Sequence, residues 1–165
     1  MTDTTNETDL ETLRLHVYEV GNSTPASHTD VPPVATLREI LVIEETETVY
    51  RVGDEEILDL DVEIVALFPN GPAHIIKHHC REVEVIISYA GTPVEVKVHP
   101  AAHVQKVRAD AIVALGISPA NAADLELRIP GTEEDLDPAK PIGAYVAKGT
   151  CTLTLDLVHI VRPQG

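Results

Sequence analysis

The sequence predicts an α+β chain made of two small units in tandem, each a mixed sheet wrapped on one helix. Three observations carry this. A length of 165 residues suits one ordinary domain or two very small ones. Hydrophobic residues make up 44% of the chain but aromatics only 3%, with no Trp and one Phe, so the core must be Val, Ile and Leu, the residues of strands and compact units. One order of elements, strand, strand, helix, strand, turn, strand, is written twice.

Residues 1–10 carry Thr, Asn, Asp and Glu with almost nothing to bury, and are expected to form a disordered leader. The first unit, 11–79, opens with LRLHVYEV, where Leu13, Leu15 and Val17 alternate with Arg14, His16 and Tyr18 as in a half-buried strand. GNSTPASHTDVPP is rich in turn formers and leaves room for at most a short, irregular second strand. In VATLREILVIEE the period changes: Val34, Leu37 and Ile40 or Leu41 share a helical face, and Thr36 with Glu39 three residues later fits a capping box. Strand-like VYRV, a Gly53-Asp54 turn, an acidic run through Glu63 with core contacts, apolar IVALF and a final HIIKHH complete the unit.

The second unit, 81–160, repeats the order more clearly. Val83, Val85, Ile87 and Tyr89 alternate with mostly polar residues, a tight Ala90-Gly91 turn follows, and Val94, Val96 and Val98 alternate on the return strand, which together read as a hairpin. Val104, Val107, Ala111 and Ala114 or Leu115 lie on one helical face that Gly116 ends. Leu125, Leu127 and Ile129 mark a short strand, a long loop follows, and Leu153, Leu155 and Leu157 face inward on the last strand. Residues 161–165 remain as an exposed tail. A sheet of four or five strands around one helix is the β-grasp arrangement, which needs only about 70–80 residues.

A formal net charge of −15 disfavours phosphate backbones and anionic lipid, so neither nucleic acid nor membrane is an expected partner, and basic protein surfaces are. No apolar run is long enough to span a bilayer, the N-terminal residues lack a signal pattern, and two cysteines are too few for a disulfide framework, so the cytoplasm is the expected location. Cys80 precedes the first strand of the second unit and Cys151 begins its last, two strands that run parallel in a β-grasp sheet, so the thiols are expected near each other and reduced. His78, His79 and Cys80 are consecutive, and consecutive strand residues point to opposite faces, so no metal site is expected there. No phosphate loop, nucleophile elbow or placed carboxylate pair occurs, so the chain is expected not to be an enzyme and to need no cofactor.

The second unit resembles ubiquitin along its length: TPVEVKVHP leads into a helix, LELRIPG is similar to the third strand and turn, and DLDPAKPIGAYVAKGTCTLTL to the long loop, with Ile142 and Tyr145 at its buried apolar and loop-bracing positions. Arg128 stands where ubiquitin has the central apolar residue of its recognition patch, so ubiquitin receptors are not expected to read this surface. The tandem order, the HHCREVEV junction and the ending DLV-x-x-x-R-x-x-G are similar to bacterial tandem ubiquitin-like modifiers of Bil-type anti-phage operons. That resemblance implies conjugation through Gly165 to lysine amines of target proteins. It also implies an activating enzyme, a conjugating enzyme and a deconjugating metalloprotease as partners. A residue without Cβ suits the narrow channel in which such a carboxylate is activated. Arg162 offers a cation to an acidic groove, Pro163 favours an extended tail, and Gln164 departs from the second glycine of ubiquitin. A non-covalent β-grasp adaptor or small subunit of a larger complex is the alternative, and a sulfur carrier a third.

Overall fold

The computed structural model describes residues 12–70 and 72–160; the expected leader at 1–10 and tail at 161–165 lie outside them. The first half runs β1 (Leu13–Glu19), β2 (Asn22–Val31), α1 (Leu37–Ile40), β3 (Thr48–Arg51), α2 (Ile64–Leu67) and β4 (Ala73–His78). The second runs β5 (Val83–Tyr89), β6 (Thr92–Val98), α3 (Val104–Ala114), α4 (Pro119–Ala122), β7 (Leu125–Arg128), a 3-10 turn (Ile142–Tyr145) and β8 (Thr152–His159). Each half forms its own four-stranded mixed sheet, in the order β2-β1-β4-β3 and β6-β5-β8-β7, with the central pairs β1/β4 and β5/β8 parallel. These are two tandem β-grasp domains of the α+β class.

Alternation decides the faces of the second sheet. Val83, Val85, Ile87, Leu125, Leu127, Leu155 and Leu157 point inward and are buried against Val104, Val107 and Ala111 of α3. Gly116, at φ +68°, ends the helical segment. Val96 and Leu153, expected inside, are only half-buried; Val96 lies on the edge strand β6, which has no neighbour on its outer side.

The first domain departs from expectation in two elements. The helix expected over VATLREILVIEE is a single turn, Leu37–Ile40, although its capping box forms as expected: the Glu39 N–H donates to Thr36 Oγ1 at 3.3 Å and the Thr36 N–H to Glu39 Oε1 at 3.1 Å. Beyond it Leu41 and Ile43 are half-buried around an exposed Val42, a period of two that only extended chain can satisfy. Val34, placed on the helical face by the sequence pattern, is 65% exposed.

The second departure is β2, ten residues long where at most a short strand was expected. It is an edge strand, where Pro25 costs no ladder bond that a neighbour needs, and register shifts along its pairing with β1 absorb the poor strand formers.

The outer face of the first sheet is where the two domains meet. Tyr18, Ile76 and Tyr50 lie side by side across β1, β4 and β3, and pack as one buried cluster with Ala101 and Ala144 of the second domain. Polar bonds fix the same seam: the Gly53 N–H donates to the Ala101 carbonyl at 2.6 Å, and the His99 ring meets Tyr50 edge-on with centroids 4.3 Å apart. Two glycines permit this approach. A Cβ on Gly53, which sits at φ +89°, would come within 2.5 Å of the His103 ring, and one on Gly143 within 2.7 Å of both His78 and the Pro100 carbonyl.

Candidate functional site

Three regions bear on function: the exit of the last strand, the open face of the second sheet, and the junction between the domains.

At the exit, β8 pairs with β7 through Leu125 opposite His159, and the Ile160 N–H donates to the Asp124 carbonyl at 2.7 Å. The Tyr89 hydroxyl lies 3.3 Å from His159 Nε2 on the neighbouring strand system. The sheet therefore holds the chain up to Ile160. Arg162, Pro163, Gln164 and Gly165, the residues singled out for tail recognition and conjugation, lie outside the described residues.

The open face of the second sheet differs from the covered face of the first at corresponding positions. Ser88, Asp156 and Arg128 pair across β5, β8 and β7 as Tyr18, Ile76 and Tyr50 pair across β1, β4 and β3. A row that is apolar and buried in one domain is polar in the other. Arg128 also donates to Asp135 at 2.7 Å, which holds the guanidinium over this face. Ile86 is the exposed apolar residue nearby on β5.

At the junction the chain leaves β4 at His78 and reaches β5 at Val83. His78 is fully buried. Its Nδ1 accepts from the Cys80 backbone N–H at 2.9 Å, so Nε2 carries the proton and donates to the Gly143 carbonyl at 3.0 Å. Burial is the main reason its pKa is pushed down to about 4; the Gly143 bond opposes the shift, and His79 and His99 add to it. Two expectations fail here. His78 and His79 do not diverge: their rings stack with centroids 5.1 Å apart, because the strand ends at His78 and the chain turns. The candidate ligand atoms of His78, His79 and Cys80 consequently lie within 4.8 Å of one another, but both His78 nitrogens are already hydrogen-bonded and Cys80 Sγ is bonded elsewhere.

Cys80 and Cys151 are close, as expected, but they are joined as a disulfide with Cα atoms 5.8 Å apart rather than being two free thiols. The parallel β5/β8 pairing explains the proximity, since the Glu84 N–H donates to the Cys151 carbonyl just beside the bridge.

The long loop behaves as its resemblance implied. Ile142 is fully buried, and the Tyr145 hydroxyl accepts from the Asp137 N–H at 3.2 Å, bracing the loop. A cleft of about 500 Å³ opens between the domains beside Glu19, Lys77, His79 and Lys148. The Lys77 ammonium in it is satisfied by Glu19 and the Val42 carbonyl, both at 3.0 Å, which makes it a structural cation.

With the sheet order, the helix on its inner face and the braced loop in place, comparison with known proteins is direct. Residues 84–160 match the family model for BilA ubiquitin-like domain 2. The second half of the chain is a ubiquitin-like domain. Solved structures similar to the chain include a de novo designed protein based on ubiquitin, at 18% identity over 52% of this chain and 96% of that one with a TM-score of 0.40. They also include ubiquitin of Caldiarchaeum subterraneum, at 21% identity over 50% of this chain and 99% of that one with a TM-score of 0.38. No curated protein matches the chain. In this ubiquitin-like domain the polar row of Ser88, Asp156 and Arg128 stands on the open face of the sheet. Among the described residues no helix is long and apolar enough to cross a membrane.

The interdomain seam was not found from the sequence. One signal pointed to it: Ile75 and Ile76 are consecutive in β4, and adjacent apolar residues on a strand require cover on both faces.

Proposed function

We propose that this protein is a ubiquitin-like modifier, attached through Gly165 to lysine amines of other proteins and acting in bacterial anti-phage defence in the cytoplasm. The observation that carries the proposal is the match of residues 84–160 to the BilA ubiquitin-like domain 2 family. The chemistry follows from the tail. An activating enzyme adenylates the Gly165 carboxylate with ATP, a thiol displaces AMP to give a thioester, and a lysine amine displaces the thiol to give an amide. A metalloprotease would cleave that amide with water, returning the Gly165 carboxylate and the free lysine amine. Arg162 would pair with an acidic groove of the activating enzyme, Pro163 would favour an extended tail, and Gln164 takes the penultimate place where ubiquitin has its second glycine. The strand β8, clamped between β5 and β7, gives the enzyme a rigid body from which to take the tail.

Reconstitution with the cognate activating enzyme and ATP tests this. The expected product is a hydroxylamine-sensitive thioester, followed by amide adducts, read by intact mass and gel shift. Gly165→Val is expected to block adenylation by its bulk, and charge reversal at Arg162 to weaken encounter in a salt-dependent way. Absence of adenylate and thioester with an enzyme that is otherwise active would leave the non-covalent adaptor in its place.

A further inference from the structure

We propose that Cys80 and Cys151 form a thiol–disulfide exchange site, taking a small dithiol or a dithiol protein reductant as substrate, with His79 positioned for the departing sulfur. Two sulfurs of one bridge differ in surroundings. Cys151 lies on the surface, open to an incoming thiolate, while Cys80 is 2% exposed. Around Cys80 Sγ stand two groups that a disulfide sulfur makes little use of: His79 Nε2 at 3.3 Å and the Thr150 carbonyl at 3.2 Å. A bridged sulfur has no proton to give Thr150 and is a poor acceptor for an N–H. A reduced sulfur uses both: as a thiol it donates to the Thr150 carbonyl, and as a thiolate it accepts from His79. His79 Nε2 also lies 3.1 Å from that carbonyl, which can only accept, so Nε2 carries a proton; it donates to the carbonyl in the bridged state and lies within reach of the sulfur 3.3 Å away when a thiolate forms there. The pocket is thus furnished for the reduced state as well as the bridged one.

The exchange balances as follows. A substrate thiolate attacks Cys151 Sγ, a sulfur–sulfur bond forms there, and the electron pair of the Cys80–Cys151 bond leaves on Cys80, stabilised by the His79 N–H. The second thiol of the reductant then attacks its own sulfur in the mixed disulfide and releases Cys151 as a thiolate. Each protein thiolate takes up one of the two protons the reductant loses, and the reductant is oxidised to its disulfide. The bond from the Glu84 N–H to the Cys151 carbonyl keeps β5 and β8 in register throughout. What changes is the tether: Cys80 lies in the link between β4 and β5, and reduction detaches that link from the start of β8.

The test uses the full chain, dithiothreitol as reductant and oxidised glutathione as oxidant, with thiols counted by iodoacetamide labelling and intact mass. Protein isolated under air is expected to take no label, to take two labels after dithiothreitol, and to close again with oxidised glutathione. His79→Phe, which keeps the ring stacked on His78 but removes the N–H, is expected to slow reduction about tenfold, the effect of losing one hydrogen bond to a charged sulfur. His79→Gln, which restores an N–H, is expected to recover most of the rate, and equal melting temperatures of the oxidised forms exclude a folding defect. Three results would overturn the proposal: free thiols that glutathione disulfide does not close, equal reduction rates in wild type and His79→Phe, or stoichiometric zinc held by the reduced protein in place of exchange. None of these readouts depends on Gly165, so failure here is separate from failure of conjugation.

Discussion

Ile76 follows Ile75 on β4; the two point to opposite faces of the sheet, and both are fully buried. Ile75 belongs to the core of its own domain and Ile76 to the seam with the next. Single residues of this kind carry most of the stabilisation, because each fully buried aliphatic side chain contributes roughly 1.5–3 kcal/mol relative to exposure. Leu155 is the clearest case in the second domain: fully buried, on the central strand β8, opposite Ile87. Leu155→Ala is expected to lower stability by about 2–4 kcal/mol through lost burial and the cavity left behind. Chemical denaturation of the variant checks it, and an unchanged midpoint would mean the strand faces inward with its other side.

Elements were legible in proportion to how far local pattern and tertiary demand agree. The second hairpin, α3 and β8 follow a strict period, and the structure keeps them. In α1 the capping pair Thr36 and Glu39 was legible because its signal is complete within four residues; the length of the helix was not, because Leu41 and Ile43 bury on an extended chain rather than on a third turn. β2 was hidden for the opposite reason: Pro25, Asn22 and Ser27 argue for a loop, and only the unpaired edge of β1 recruits them into a strand. At the candidate site the sequence named the tail residues through resemblance, but the seam and the bridge depend on contacts some seventy residues apart, Cys80 with Cys151 and His78 with Gly143, which no local window contains. The capping box is the element whose worth can be measured alone. Thr36→Ala removes the acceptor for the Glu39 N–H and is expected to cost about 1 kcal/mol, read as a shifted denaturation midpoint at constant slope. A neutral outcome would mean water replaces the cap without loss.

For the whole molecule, the seam makes stability depend on pH. His78 is held neutral in the folded state, with its pKa lowered from 6.5 to about 4, chiefly by burial. The unfolded chain binds this proton more readily, so the fold's advantage is full above the unfolded value and is lost as pH falls from about 6.5 towards 4. The lowered value corresponds to at most about 3 kcal/mol across that window. Urea titrations of wild type and His78→Gln between neutral and acid pH separate this from the carboxylates, which titrate in both. The wild type is expected to lose more stability than the variant on acidification, and parallel profiles would remove His78 from the account. The two domains should unfold together, since Tyr18, Tyr50 and Ile76 would otherwise be left facing water.

The row of Ser88, Asp156 and Arg128 also sets how long such an array can grow. The contact between the domains is head-to-tail, one sheet's outer face against the next domain's loop and 3-10 turn, and head-to-tail contacts have no intrinsic end. Repeating it on the second sheet would require burying a carboxylate and a guanidinium that water now solvates. A third unit docked on the second sheet would therefore have to be held by chemistry different from that joining the first two.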